Sequence, residues 1–212
     1  MRKQNMNRYR IWTMVALLLL TGGCSLGKPT RPSEFYVLSA EAGTPVAGRA
    51  HAAKPLALGL GPIELPDILD RPQIVTRPQP NRITLAEYDR WGGDLRRDLA
   101  RVLSQNLMSR LDTDSVVLYP WSVSDQPELQ VSIRFFRFDG ELGKAARLEG
   151  VWRLLDGRDG CELAARRFRI EERPAGGSYE DFVAAMSHGV ARLSQEIAER
   201  VAAVEPGCAA QP

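Results

Sequence analysis

The side chains of this protein that could do chemistry are three cysteines, two histidines and a few carboxylates set in turns. Asp67, Asp70 and Asp89 could in principle supply the acid and the second carboxylate of a glycoside hydrolase. Asp67 and Asp70, however, stand in Asp67-Ile68-Leu69-Asp70-Arg71-Pro72, where acids beside arginine and proline ordinarily bond their own backbone and close a turn. His51 falls in a stretch of Ala, Gly and Pro, and His188 on the polar side of a helical pattern, so both read as solvated. Gly59-Leu60-Gly61 lacks the third glycine and the following helix of a phosphate loop, and Pro62 comes next. There is no Gly-x-Ser-x-Gly elbow and no Cys and His cluster at metal spacing. The expectation is a protein that is not an enzyme and that carries neither metal nor cofactor.

Sulfur is the exception. Arg2, Lys3, Arg8 and Arg10 precede an apolar run from Ile11 to Leu20, which Gly22, Gly23 and Cys24 close. That is the layout of a secretory signal peptide. The run is about ten residues where a membrane-spanning helix needs roughly twenty, which disfavours a transmembrane anchor. Leu20-Thr21-Gly22-Gly23-Cys24 resembles a bacterial lipobox, whose cysteine receives diacylglycerol and becomes the mature N-terminus. Thr21 stands where that motif has leucine, with Leu20 one place early, so a secreted protein cut before Cys24 is the alternative. Each buried methylene of an acyl chain contributes about 0.8 kcal/mol, so a multiply acylated Cys24 would be held without measurable detachment. Ser25 follows, and in lipoproteins that this one resembles a residue other than Asp there directs the chain to the outer membrane, palmitate and its relatives anchoring the body on the periplasmic side. With Cys24 committed to lipid, Cys161 and Cys208 remain in an oxidising compartment and are expected to pair. The bridge would stabilise the fold by about 4 kcal/mol in the chain-entropy model; two independent thiols are the alternative.

The elements that must carry these residues can be read from periodicity. Removing residues 1–23 takes away four cations and leaves 24 against 26 acids, a net charge of −2, which does not suit a nucleic-acid partner. Residues 24–33, with Pro29 and Pro32, form a tether whose stretch from Ser25 to Ser33 reaches about 30 Å. A single domain is expected over 34–204 and a tail over 205–212. Phe35–Leu38, Leu56–Leu60, Ile74–Val75, Ile83–Leu85 and a buried Val116–Tyr119 read as short strands, and Glu41–Lys54 as a mobile loop. Leu95, Leu99, Val102, Leu103, Leu107 and Leu111 recur at helical spacing, with Arg96, Arg97, Asp98, Arg101 and Gln105 on the other face, which reads as solvated, a partner surface for its basic residues being the alternative. Leu129–Phe135, then Ala146–Leu154, then Glu162–Glu171 make a meander, with turns near Asp139-Gly140 and at 156–160 and a parity change at Phe136 that suggests a bulge or a strand covered on both faces. Ser178 caps a last helix with the stripe Phe182, Met186, Val190, Leu193, Ile197, Val201 and Val204. The fold class is therefore α+β, a single domain with a mainly antiparallel sheet of about six to eight strands packed by two amphipathic helices.

Phe35–Leu38, then Gly61-Pro62-Ile63-Glu64-Leu65-Pro66-Asp67-Ile68-Leu69-Asp70-Arg71-Pro72-Gln73-Ile74-Val75-Thr76-Arg77, then Asp89-Arg90-Trp91, and Val116–Trp121 together resemble the auxiliary lipoproteins of ABC-type intermembrane transport systems, the paraquat-inducible C-type (PqiC/YmbA) family. The similarity runs over about residues 34–200, and Leu69-Asp70-Arg71-Pro72-Gln73-Ile74-Val75 is its most specific part. After Trp91 the family tends to have a small residue, an acid and a proline, whereas Gly92-Gly93-Asp94 stands here, which implies a looser helix start. The resemblance implies a non-enzymatic component that works with an ABC permease and ATPase and with a mammalian-cell-entry (MCE) type protein to move lipids between membranes and maintain the outer one. It also implies a membrane attachment through Cys24 and leaves room for a homo-oligomer matching a ring-shaped partner. Asp67, Asp70, Arg71, Pro72 and Trp91 are candidate partner contacts, proline-stiffened surface turns being common binding sites; a purely local role for Asp70 and Arg71, with Trp91 sealing the helix to the sheet, is the alternative. An envelope lipoprotein tethering peptidoglycan or another complex is the second functional reading, and a hydrolase the third.

Overall fold

The structure, a computed structural model, describes residues 31–47 and 57–204, and its folded unit begins at Ser33. The signal segment, Cys24, His51, Cys208 and the 205–212 tail lie outside the described residues. In chain order the strands are β1 (Glu34–Tyr36), β2 (Leu58–Glu64), β3 (Gln73–Gln79), β4 (Arg82–Trp91), β5 (Val116–Leu118), β6 (Leu129–Glu141), β7 (Ala145–Asp156) and β8 (Glu162–Glu172). Helix α1 (Leu95–Leu111) lies between β4 and β5, and α2 (Tyr179–Ala203) follows β8. This is the expected α+β domain with two amphipathic helices.

Both sheets are mixed rather than mainly antiparallel. The smaller has the order β1-β4-β3 and the larger β5-β2-β6-β7-β8, with β1 parallel to β4 and β2 parallel to both β5 and β6. The physical reason is connection length: tight turns join β6, β7 and β8, whereas β2 reaches β5 only through β3, β4 and α1, a crossover long enough to return the chain in the same direction. β5 ends as the sheet's edge, so Val116 and Val117 are half-buried and Leu118 is exposed, not the buried strand its composition suggests.

The meander follows its alternation. Ala146, Leu148, Trp152 and Leu154 of β7 are at most 0% exposed and meet Phe168 and Ile170 of β8 under α2. β6 carries the bulge: Phe135 pairs with Gly150 and Arg137 with Glu149, leaving Phe136 out of register and exposed. The extra residue returns Phe138 to the interior, where its ring lies 5.6 Å from Phe135 and 6.4 Å from Trp91 of the smaller sheet. The β6–β7 turn sits at residues 142–144 rather than at Asp139-Gly140. Asp139 is buried inside the ladder, where Arg77 of β3 and Arg137 each approach to 2.7 Å, so an Asp-Gly pair that looks like a turn is instead an ion-paired strand residue.

Both helices begin with side-chain caps. Asp94 Oδ1 accepts from Arg97 N at 2.9 Å, which corrects the expectation of a loose start to α1. Ser178 and Asp181 form a reciprocal capping box on α2. The expected stripe on α2 is buried through Val201, and Val204 lies just past the helix.

Residues 38–46 correct the reading of a mobile loop over 41–46, because they run over the two helices and are bonded to them; 48–54 lie outside the described residues. Leu38 N donates to Asp98 Oδ2 (2.7 Å) and Leu38 O accepts from Arg101 Nη2 (2.7 Å). Ser39 N donates to Ser187 Oγ (3.1 Å), and Glu41 N to Asn106 Oδ1 (2.8 Å). Glu41 O accepts from Arg110 Nη1 (2.9 Å), and Val46 N donates to Arg110 O (2.8 Å). Leu38 of the strap is buried in the core and Val46 packs against it, and between them the backbone is held by polar groups rooted in the helix interface. His188, solvent-facing as expected, also reaches it, with Nδ1 2.5 Å from Glu41 Oε1.

Candidate functional site

Two adjoining hollows lie where β2 leaves its edge neighbour. β5 pairs with β2 only from Leu58 to Leu60, and Tyr119 N then donates to Leu60 O at 3.0 Å. Gly61 turns the strand with φ +126, a conformation that L side chains rarely adopt, and a Cβ there would lie 2.6 Å from that of Tyr119. Gln130 Nε2 holds the turned carbonyl of Gly61 at 2.8 Å. Beyond this point Pro62, Ile63, Glu64 and Leu65 face the first turns of α1 without a strand between them.

The result is a groove of 480 Å³ walled by Leu60, Pro62, Ile63 and Leu65 on one side and by Arg96, Arg97 and Ala100 of α1 on the other. Tyr119 closes one end, its ring set edge-on to Trp121 at 5.4 Å. A second hollow of 250 Å³ continues past Leu65 and Arg96, which both hollows share, to Leu69, Asp70, Arg71, Pro72 and Asp94. The floor is aliphatic and the rim is cationic. Arg134 lies 2.5 Å from Glu64 Oε2, and its hydrogen bonds hold that carboxyl below the usual carboxylate range, so Glu64 is already paired. Asp98 is likewise engaged with Arg101 at 2.6 Å.

The residues expected to make partner contacts divide here. Asp70, Arg71 and Pro72 line the smaller hollow, on a turn fixed by Leu69 N to Pro66 O (2.9 Å), Asp70 N to Asp67 O (3.1 Å) and the buried Leu69 side chain. Asp67 is exposed in the short 3-10 helix Asp67–Leu69. Trp91 is buried at 5% exposure against Phe138, and its backbone N–H donates to Pro72 O at 2.7 Å, so it supports the turn from behind. Among the described residues no ion pair joins Asp70 to Arg71, and Arg71 Nε is buried without a hydrogen-bond partner. Asp89 is also buried, 2.9 Å from the Tyr36 hydroxyl, and lines neither hollow. Cys161 lies just before β8, with Cys208 outside the described residues.

Arg96, Arg97, Ala100, Pro62 and Tyr119 were not legible as a site. Their signal was the pair Gly61-Pro62 and Tyr119-Pro120, one proline inside β2 where its pairing with β5 stops and the other just past β5, which opens the sheet edge.

Residues 36–198 match the model of a family described as ABC-type transport auxiliary lipoprotein component. Among solved structures, an uncharacterized protein aligns at 20% identity over 81% of this chain and 99% of its own, with a TM-score of 0.65. A protein from Xanthomonas campestris aligns at 18% identity over 81% of this chain and 95% of its own, with a TM-score of 0.68. At such identities the likeness is one of fold. No curated protein matches the chain.

Proposed function

The chain belongs to the ABC-type transport auxiliary lipoprotein family, and from that premise we propose that it is anchored through Cys24 to the periplasmic side of the outer membrane and serves an ABC/MCE-type system that moves lipids between membranes. The observation that carries this reading is the family match over 36–198, joined to a signal segment that ends in an acylable cysteine. The partners in this reading are the MCE-domain protein and the permease and ATPase of the same system, with copies of the chain forming a ring where that partner is itself a ring. Outer-membrane integrity is the property such transport sustains. No catalytic role is assigned to the chain. Among the described residues no helix is long and apolar enough to cross a membrane.

The fold gives anchoring a mechanical sense. The chain emerging from the tether enters β1, and the strap that follows is fastened to α1 and α2 by the bonds of Leu38, Ser39, Glu41 and Val46. Any pull on the lipid is thus received by the helix pair rather than by a loose end. Cys24→Ala tests the anchoring: the variant should fold, fractionate with soluble periplasm and fail to complement a deletion strain. If it stays with the outer membrane and complements fully, the anchoring role is wrong. Adjacent genes for a permease, an ATPase and an MCE-domain protein would support transport over the peptidoglycan-tethering alternative.

A further inference from the structure

The geometry points to the groove between β2 and α1 as a binding site for an anionic acyl lipid, the chain lying along Pro62, Ile63, Tyr119 and Ala100 and the acidic headgroup on Arg96 and Arg97. Three observations carry this assignment. The 480 Å³ hollow falls within the range of roughly 300–1,000 Å³ typical of small-molecule sites, and its floor is built of aliphatic side chains and Tyr119. Of the acids near its rim, Glu64 is taken by Arg134 at 2.5 Å and Asp98 by Arg101 at 2.6 Å, while Asp94 Oδ1 caps the helix by accepting from the backbone of Arg97 at 2.9 Å. Among the described residues no carboxylate forms an ion pair with Arg96 or Arg97.

The third observation lies in the adjoining hollow, which shares Arg96 and Leu65 with the groove. There Arg71 Nε is buried without a partner. A buried guanidinium N–H left unpaired is costly, and a shift of the Arg71 side chain toward Arg96 would let a phosphate oxygen satisfy it. Asp70 and Asp94 also line this hollow. Their negative charge keeps the phosphate out of the smaller hollow's far end, so the lipid's chain lies in the groove and its phosphate stays on the groove side, at Arg96 and Arg97. The inference rests on the transport reading for why such a lipid would reach this face; binding itself is read from the groove.

The test uses the mature chain carrying Cys24→Ala and calorimetric titration with lysophosphatidylglycerol below its micellar concentration. Affinity should rise about fourfold per added methylene until the groove is full. Lysophosphatidylcholine of equal length should bind at least about tenfold more weakly, the worth of one charge-assisted contact, and glycerol phosphate should not bind detectably. Arg96→Glu with Arg97→Glu should abolish the preference for the anionic lipid while retaining binding of the choline lipid. Ala100→Trp should block both lipids. Should that variant lose its thermal transition, Tyr119→Asp, at an exposed position, serves in its place. Equal affinity for the two lipids, indifference to the arginine reversals, or binding of an acidic amphipathic peptide in place of lysophosphatidylglycerol each overturns the assignment. None of these results bears on whether the chain is recovered with transporter subunits, so the two readings fail independently.

Discussion

Asn106→Leu is the perturbation that most sharply tests how the strap is held. Asn106 has 0% exposure, and its side chain makes two bonds: Oδ1 accepts from Glu41 N at 2.8 Å, and Nδ2 donates to Ser194 Oγ at 3.3 Å. Leucine nearly preserves the volume, so cavity formation contributes little. The Glu41 amide loses its acceptor, at a cost of about 1–3 kcal/mol for a part-buried orphan donor. Ser194 keeps its own bond to Val190 O at 2.8 Å and loses only an incoming donor, about 1 kcal/mol. The sum is about 2–4 kcal/mol, which in a domain of this size lowers Tm by roughly 4–16 °C. Urea unfolding of the mature Cys24→Ala chain measures the first quantity. Hydrogen exchange at Glu41 measures whether the loss is local, since its amide should exchange far faster in the variant. Gln105→Ala, one residue away on the exposed side of α1, should change stability by no more than about 0.5 kcal/mol. A loss below about 1 kcal/mol for Asn106→Leu, with Glu41 still protected, would refute the reasoning and return residues 41–46 to the status of an ordinary loop.

Three other outcomes follow from particular contacts. Trp91→Ala should cost about 3–5 kcal/mol by denaturant unfolding, as for a buried aromatic packed on Phe138, and a loss under about 1 kcal/mol would restore Trp91 as a surface contact. Burial, with Glu34 at 2.8 Å and Asp89 at 2.9 Å, holds the Tyr36 hydroxyl well above the usual tyrosine range. A raised folded-state value means that this contribution is full below the unfolded value near pH 10 and lost as the pH rises past it. The stability advantage of the native chain over Tyr36→Phe should therefore shrink between about pH 9 and pH 11, and an advantage unchanged over that interval contradicts the assignment. Finally, a thiol count on unreduced, denatured mature chain should find no free sulfhydryl at Cys161 and Cys208, whereas two free thiols remove the proposed bridge.

Where local pattern decides structure, the sequence was legible. Alternation along residues 129–172 specified the meander and located the bulge at Phe136, because a parity change cannot be accommodated in a regular ladder without an extra residue. Helical spacing and the Ser178 cap likewise marked α2. What local pattern does not carry is pairing across long separations. The parallel neighbours of β2 depend on a crossover through α1, and the strap depends on Asn106 and Arg110, more than sixty positions from Glu41, which the helical spacing assigned to neither face. The turn at Asp70-Arg71-Pro72 was readable as a surface feature. Its association with Arg96 was not, since the hollow exists only once α1 is laid beside β2.

The central claim is that this chain works as the anchored auxiliary component of a transport complex, and capture from the native envelope tests it most directly. The full chain, tagged after Pro212 and expressed at native level, should be cross-linked in cells, extracted in mild detergent and purified. Recovery of the permease, the ATPase and an MCE-domain protein together, reduced when Cys24 is replaced by alanine, is the expected result. Recovery of peptidoglycan fragments with none of the transporter subunits would contradict the account and favour a tethering lipoprotein.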